Sequence, residues 1–538
     1  MLEELQAFIR EHVAAIEPLE KAVSLAYWHF TTTGKKEYEQ EVTRLHVALR
    51  KVYADPARFE RLKSLTDNQI INDQTLARQV TLLRDLFTGN QMDDETIEEL
   101  TQREVAIESI FNTFRAELQG KKVTENELKE ILRASDDLEL RFQAWQASKQ
   151  VGAQVAGPLI ELVELRNEIA HSIGFENFYR MRITLQELDD DELFAIFDEL
   201  DRLVSPIYRN YKADLDAQLA DRFGILPADL RPWHYSDPFF QDAPAADPAV
   251  RKFLADTFAH QDIEALTRRF YRTIGLDVDD VLARSDLYER DGKQQHAYCM
   301  HVDRKDDIRI LANIKPNDKW MGTMLHECGH AVYDKYLDSD LPYLLRQHAH
   351  ILFTEAIAML MGRLETDPHW LTTYAGVPGG EAQLLADQLW GQMRGQLLIM
   401  SRWVSLMSRF ERALYRDPRQ DLNSLWWDLE ERFQMVPRPE GRDAPDWAAK
   451  IHLGTTPVYY HNYLMGELIA SQLRSYVETH IFGEDGNPGY RFVTDPSLGH
   501  FLTQRIFRPG ALRHWQDALE FATGERLRPQ YFVDQVRT

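Results

Sequence analysis

His326, Glu327 and His330 form an HExxH pentapeptide. On an α-helix, residues four apart lie on one face a turn apart, so both imidazoles reach a single ion. Neutral imidazole suits zinc. Glu327, beside the first histidine, is placed to take a proton from water next to that ion. The neighbours favour a helix: Trp320, Met321, Met324, Leu325 and Val332 make the segment apolar-rich, and Asn317-Asp318 offers an N-cap. Five residues of this kind recur by chance, as two histidines packed or solvated on a helix, and the apolar context argues against that reading here.

A catalytic zinc site takes three protein ligands and keeps a fourth position open. The longer HExxHxxGxxH arrangement fails, because Tyr333 and Tyr336 stand where its Gly and His belong. A glutamate from a following helix is the other common source. Glu355 opens the apolar stretch TEAIAMLMGRL after a connection containing Pro342, and Glu365 is the runner-up. His348 and His350 read better as surface histidines near a helix start. Cys328 lies inside the motif, but rotation of about 100° per residue turns it to another face, as a small buried thiol.

The elements that position these residues are mostly helices. Leu2, Leu5, Phe8, Ile9, Val13, Ile16 and Leu19 recur at helical spacing, and similar patterns fill much of 36–135 and the segment 128–183. Prolines mark the breaks. Pro227, Pro232, Pro238, Pro244 and Pro248, with Gly224 beside them, predict an irregular connection over 224–250; Pro437, Pro439 and Pro445 mark a second break. Between them two strands are predicted, Gln294–Val302 and Ile308–Ile314, with Arg304, Lys305, Asp306 and Asp307 as their turn. The expected fold class is mainly α with one small antiparallel sheet.

Composition narrows the function. The 538 residues are 44% apolar and 28% charged, the profile of a soluble globular protein. A formal net charge of -24 repels a phosphate backbone, so nucleic acid is not an expected partner. The run Asp189, Asp190, Asp191, Glu192 reads as a solvated helix start rather than a cation site. The only cysteines, Cys299 and Cys328, form no disulfide framework and fit a reducing compartment. No stretch of about 18 apolar residues predicts a membrane span. Glu3, Glu4, Arg10 and Glu11 argue against a secretory leader, so a cytoplasmic location is the expectation.

The segment HECGHAVYDKYLDSDLPYLLRQHAHILFTEAIAML resembles angiotensin-converting-enzyme-like zinc peptidases of the peptidyl-dipeptidase group. Those carry HExxH, then DLP and an arginine, then a glutamate followed by Ala-Ile. Asp340, Leu341, Pro342, Arg346, Glu355, Ala356 and Ile357 match, so the resemblance implies Glu355 as third ligand. Upstream, HAYCMHVDRKDDIRI is similar to that family's edge strand and hairpin. His296 and Ala297 match positions that line the substrate cleft and pair with the substrate backbone. The Ala-Tyr-Cys portion also resembles the related thimet-oligopeptidase and oligoendopeptidase families. Downstream, AKIHLGTTPVYYHNYLMGEL resembles the segment that completes the site. There Lys450 matches a lysine that binds the substrate's C-terminal carboxylate, and His452 a histidine that contacts substrate beside the scissile bond. Tyr463 matches the tyrosine that stabilises the tetrahedral intermediate, and Tyr460 a second cleft tyrosine. On residue type alone, Lys450 reads equally well as a solvated lysine, and Tyr459, Tyr460 and Tyr463 as a packed aromatic helix face. The likeness is specific around 294–357 and 450–467, loose at 165–182 and 514–527, and weak over 1–150.

The departures are specific. His461 and Asn462 stand where converting enzymes carry an arginine tied to chloride binding. Met359 replaces the acid four residues after the third ligand, so any contact that acid makes is either made differently or absent. The stretch from His452 to Tyr463 is one residue longer, and nothing matches the glutamine that assists carboxylate binding.

The resemblance implies a zinc metallopeptidase with one ion, acting on short peptides, with Glu327, Tyr463 and His452 as catalytic residues. Two modes of action follow from it, release of C-terminal dipeptides and endo-cleavage as in oligoendopeptidases. A catalytically inactive peptide-binding protein is the alternative of another class, and the intact HExxH, Glu355, His452 and Tyr463 argue against it. The implied architecture is a two-lobed helical ellipsoid with a deep central cleft. Residues 1–538 form one peptidase unit, with 1–150 as a helical lid region and 150–538 as the zinc-site core, in a monomer or homodimer.

Overall fold

The computed structural model describes all residues except 1, 68–69, 244–247, 295, 484–486 and 538. Among the described residues the chain is mainly α, 72% helical, with two small antiparallel hairpins. None of the described helices is long and apolar enough to cross a membrane. Cα packing divides the chain into two units of three segments each. One comprises Met1–Gln91, Pro248–Trp390 and Met465–Phe532; the other comprises Met92–Asp247, Gly391–Leu464 and Val533–Thr538.

In the first unit, the helix Leu2–Thr33 buries Leu5, Phe8, Ile9 and Ile16. They pack with Tyr53, Leu62, Leu76, Val80, Leu83 and Phe87 of the helices Lys36–Ala54, Pro56–Thr66 and Gln74–Thr88. This is the apolar stripe read from the sequence. Leu2, at its head, lies outside that cluster and is 55% exposed.

The hairpin of this unit is shorter than the spacing predicts. Tyr298–His301 pairs antiparallel with Ile308–Leu311, from Tyr298 opposite Leu311 to His301 opposite Ile308. Val302 still bonds across the turn, its N–H donating to the Asp307 carbonyl at 2.8 Å, but other flanking residues bond elsewhere. The Gln294 N–H donates to the Thr31 carbonyl, Ala312 to Asp286 and Ile314 to Leu287, at 2.8, 2.9 and 2.9 Å. Residue 295 of the predicted strand lies outside the described residues. In the turn, Asp303 Oδ1 accepts from the Lys305 and Asp307 N–H groups at 3.1 Å each, and Arg304 adopts a left-handed φ of 54°. Among the described residues, no strand pairs with the outer edge of Tyr298–His301.

In the second unit, Leu138–Ser172 and Asp190–Phe223 are the long helices read from the pattern. The irregular connection begins after Gly224 and contains the short turns Pro227–Asp229 and Pro232–His234. It is held through its carbonyls: Arg141 donates to Trp233 and Tyr235 at 2.8 and 3.0 Å, and Lys149 to Pro238 at 2.8 Å. It is shorter than predicted, because Pro248 starts the helix Pro248–Phe258, where a proline costs no hydrogen bond. Pro244 lies outside the described residues. Asp189 caps its helix by accepting from the Glu192 N–H at 2.8 Å. Asp190, in contrast, is buried and accepts from Arg412 at 2.7 Å, so this helix start is only partly solvated. A second hairpin, Ala116–Leu118 with Lys121–Val123, was not foreseen. Its turn, Gln119-Gly120 with φ of 52° and 75°, lacks the usual Asn-Gly signature. Neither Cys299 nor Cys328 is in a disulfide.

Candidate active site

The HExxH segment is helical from Asp318 to Lys335, and Asn317 caps it by accepting from the Trp320 N–H at 2.9 Å. The helix Ile351–Gly362 packs directly against it. Gly329, the second residue between Glu327 and His330, makes this close approach possible. A Cβ on it would stand 2.8 Å from Ala358 Cα and 3.1 Å from Ala358 N. Glu355 lies about one turn before that contact and so faces the two histidines. One ligand atom from each of His326, His330 and Glu355 falls within 4.8 Å of the others. The two imidazoles are 4.9 Å apart and nearly perpendicular, at 83°. Burial lowers the pKa of His326 to about 4 and that of His330 to about 3, which keeps both neutral, the form that ligates a metal.

One nitrogen of His330 is already engaged: Nδ1 lies 2.6 Å from the Thr354 hydroxyl. If Nδ1 donates there, Nε2 is left as the ligand atom. Thr354 is buried, next to Glu355, and its hydroxyl makes a hydrogen bond to His330 that the Met359 side chain does not offer. Two nitrogens and a carboxylate oxygen, converging from two packed helices, form the donor set of a catalytic zinc site, and the three residues fit that ion.

Glu327 is buried at the same helix face. Burial raises its carboxyl to about 8, reinforced by the charge of Glu355 and opposed by a hydrogen bond from the Cys299 backbone N–H. The charge of a bound divalent cation acts in the lowering direction. The edge strand therefore touches the carboxylate through its backbone. His296 and Ala297 lie just before that strand, His296 exposed and Ala297 half-buried.

Glu365 stays outside the metal group. Its carboxylate lies against Gly322, with Cδ 3.1 Å from where a Cβ would stand. His350 is a helix cap, its Nδ1 accepting from the Leu352 N–H at 3.1 Å. His348 departs from the surface reading. It lies 3.6 Å from the buried Asp334 carboxylate, which His301 approaches to 3.7 Å. Spacing along the chain does not show that a hairpin residue and a loop residue meet at one aspartate.

The remaining candidates belong to the second unit. Lys450 is not a solvated lysine: only 8% is exposed. Its ammonium donates to Gln241 Oε1 at 2.6 Å and lies 5.3–5.8 Å from the rings of Trp403, Phe239 and Tyr460. Burial lowers its pKa to about 8, partly offset by the Asp237 carboxylate. Gln241, which sequence matching did not identify, is thus a glutamine beside the lysine. It sits in the proline-rich connection, where no periodicity marks it. Asp237 fixes it, Oδ2 accepting from its Nε2 at 3.3 Å and Oδ1 from its N–H at 3.4 Å. His452 starts the short helix His452–Thr455, its ring 4.8 Å from that of Tyr460. Burial, with the charge of Lys450, lowers its pKa to about 4. The buried Arg166 holds this turn, donating to the carbonyls of Leu453 and Gly454 at 3.3 and 2.8 Å. Tyr463 lies in the first turn of the helix His461–Tyr476, its ring 5.7 Å from that of Tyr460. Tyr460 itself is buried, as a packed aromatic face requires; Tyr463 is only half-buried.

Comparison with known proteins decides the family. The family model described as angiotensin-converting enzyme matches residues 2–530. The chain belongs to the angiotensin-converting enzyme family. An angiotensin-converting enzyme of Theromyzon tessulatum is 22% identical over 551 residues, covering 93% of this chain and 86% of the relative. One of Haematobia irritans exigua is 23% identical over 437 residues, covering 74% and 70%. An inactive angiotensin-converting enzyme-related protein of Caenorhabditis elegans is 21% identical over 339 residues, covering 55% and 37%. Membership alone therefore does not carry activity; the residues must. This member retains HExxH, and Glu355 lies within reach of both histidines. It is a metallopeptidase that acts on peptides.

Proposed function

We propose that the protein is a zinc-dependent peptidyl-dipeptidase that removes dipeptides from the C-termini of short peptides. His326, His330 and Glu355 are the ligands of one zinc ion. Bound there, zinc supplies Lewis-acid polarisation of the scissile carbonyl and of water. Glu327 takes the proton from the attacking water and returns it to the leaving amine. The Tyr463 hydroxyl and a His452 N–H donate to the oxygen that becomes negative; losing one such donor typically costs about 100- to 1000-fold in rate. The outer edge of Tyr298–His301, with His296 and Ala297 before it, takes substrate as an added strand. Support for these roles is the family's motif order together with the local geometry of each group.

The observation that carries dipeptide release is Lys450. A buried ammonium among aromatic rings, with a neutral amide as its hydrogen-bond acceptor, is poised for a carboxylate. The test compares a free-acid peptide with its C-terminal amide, with products read by mass spectrometry. The free acid is expected to lose dipeptides from its C-terminus and the amide to be cleaved far more slowly. Equal rates on both would overturn the reading and leave endo-cleavage. A Glu327→Gln variant is expected to bind zinc and lose turnover; wild-type hydrolysis by that variant would remove Glu327 from the mechanism.

A further inference from the structure

Val458 has a φ of 56° and is the only β-branched residue with positive φ among the described residues. The left-handed region is open to glycine and asparagine, but a valine there is strained and persists only where its surroundings hold it. Both sides of this residue are held. Its N–H donates to Glu411 Oε1 at 2.7 Å, and its carbonyl accepts from Gln186 Nε2 at 3.2 Å. Glu411 comes from the helix Gly379–Arg416 and Gln186 from the end of Phe178–Leu185. Gln186 Oε1 also lies 3.5 Å from Asn462 Nδ2. Glu411 is 3% exposed and forms no ion pair within 4.0 Å among the described residues. The N–H that this buried carboxylate accepts from belongs to one strained peptide.

The chain turns at Val458 directly into the tyrosines. The Asn462 N–H donates to the Tyr459 carbonyl at 2.9 Å and the Tyr463 N–H to Tyr460 at 3.2 Å, starting the helix. Tyr460 packs on His452 and Tyr463. The φ of Val458 thus sets the direction in which both rings leave the turn.

We propose that Glu411 and Gln186 are positioning residues for Tyr460 and Tyr463, acting by holding Val458 left-handed. The inference rests on Tyr463 as an oxyanion donor, so a Tyr463→Phe control accompanies it. Activity is followed on an internally quenched peptide and folding by thermal unfolding. Displacing a catalytic donor by about an ångström costs on the order of 100-fold, so Glu411→Leu is expected to lower kcat about 10- to 100-fold with KM little changed. Glu411→Gln, which keeps an acceptor, is expected to retain most of kcat. The deciding variant is Glu411→Leu with Val458→Gly. Glycine takes positive φ without being held, so kcat is expected to recover by about tenfold. If Glu411→Leu does not accumulate as folded protein, Gln186→Leu with the same Val458→Gly rescue carries the test. Wild-type kcat in the leucine variant, or a double variant no better than the single, would overturn the proposal. Unchanged kcat in Tyr463→Phe would instead overturn the role of the tyrosine.

Discussion

At the scale of the residue, Thr354 illustrates how much of a metal site lies outside its ligands. An imidazole that ligates through Nε2 carries its proton on Nδ1, and that proton needs an acceptor. Thr354 places a hydroxyl 2.6 Å away. Thr354→Val keeps the shape and removes the acceptor, so zinc affinity is expected to fall about 10- to 100-fold, the usual effect of losing such a partner. Thr354→Ser is expected to bind near the wild-type level. Competition with a chromogenic chelator measures both; equal affinity in the valine variant would mean that Nδ1 is satisfied elsewhere. His326, Glu327 and His330 could be read directly, because helical periodicity alone brings i and i+4 together. Thr354 could not, because nothing in its position before Glu355 says which way its hydroxyl points. Gln241 was hidden for a different reason. It lies in a segment without periodicity, 209 residues from the lysine it contacts.

At the scale of the element, the distance between two helices depends on one missing methyl group. The neighbours that an alanine Cβ at position 329 would meet are the backbone N and Cα of Ala358, which cannot rotate away. Gly329→Ala must therefore part the helices Asp318–Lys335 and Ile351–Gly362, at a cost typical of overpacking, about 1–3 kcal/mol. Because Glu355 rides on the second helix, zinc stoichiometry should fall together with the melting temperature. Gly391→Ala is the control. It lies exposed within the helix Gly379–Arg416, where a Cβ meets nothing within 4 Å and no proline follows, and alanine should stabilise that helix by about 0.5–1 kcal/mol. Equal effects of the two substitutions would sink the argument from close packing. The elements themselves were legible where apolar periodicity runs long, as in Leu2–Thr33, and where a cap is explicit, as at Asn317. Strand ends were not, because Ala312 and Ile314 look like strand residues and pair with Asp286 and Leu287 instead. Three-residue strands around Gln119-Gly120 are too short for alternation to register.

At the scale of the whole molecule, each unit is assembled from three separate segments. Periodicity reports which face of a helix is covered, not which distant segment covers it, so this interleaving was invisible in the sequence. Packing within the first unit also buries ionisable groups. His12 sits within the first unit's apolar cluster, its ring 5.0 and 5.1 Å from those of Tyr53 and Phe87, and burial lowers its pKa to about 4. Between that value and its ordinary 6.5 the unfolded chain binds a proton that the folded chain does not, so stability rises with pH through this window. Glu365 acts in the opposite direction. Burial raises it to about 8 from 4.5, so the folded chain holds a proton that the unfolded chain has released, and stability falls as pH rises through that window. The two effects are separable by substitution. His12→Phe should flatten the loss of thermal stability on going from pH 7 to pH 5 and leave the alkaline side unchanged. Glu365→Gln should raise stability at pH 9 relative to wild type more than it does at pH 5. Melting curves of the metal-free protein across this range measure both, and an unchanged acid limb in the phenylalanine variant would show that His12 is protonated in the folded state.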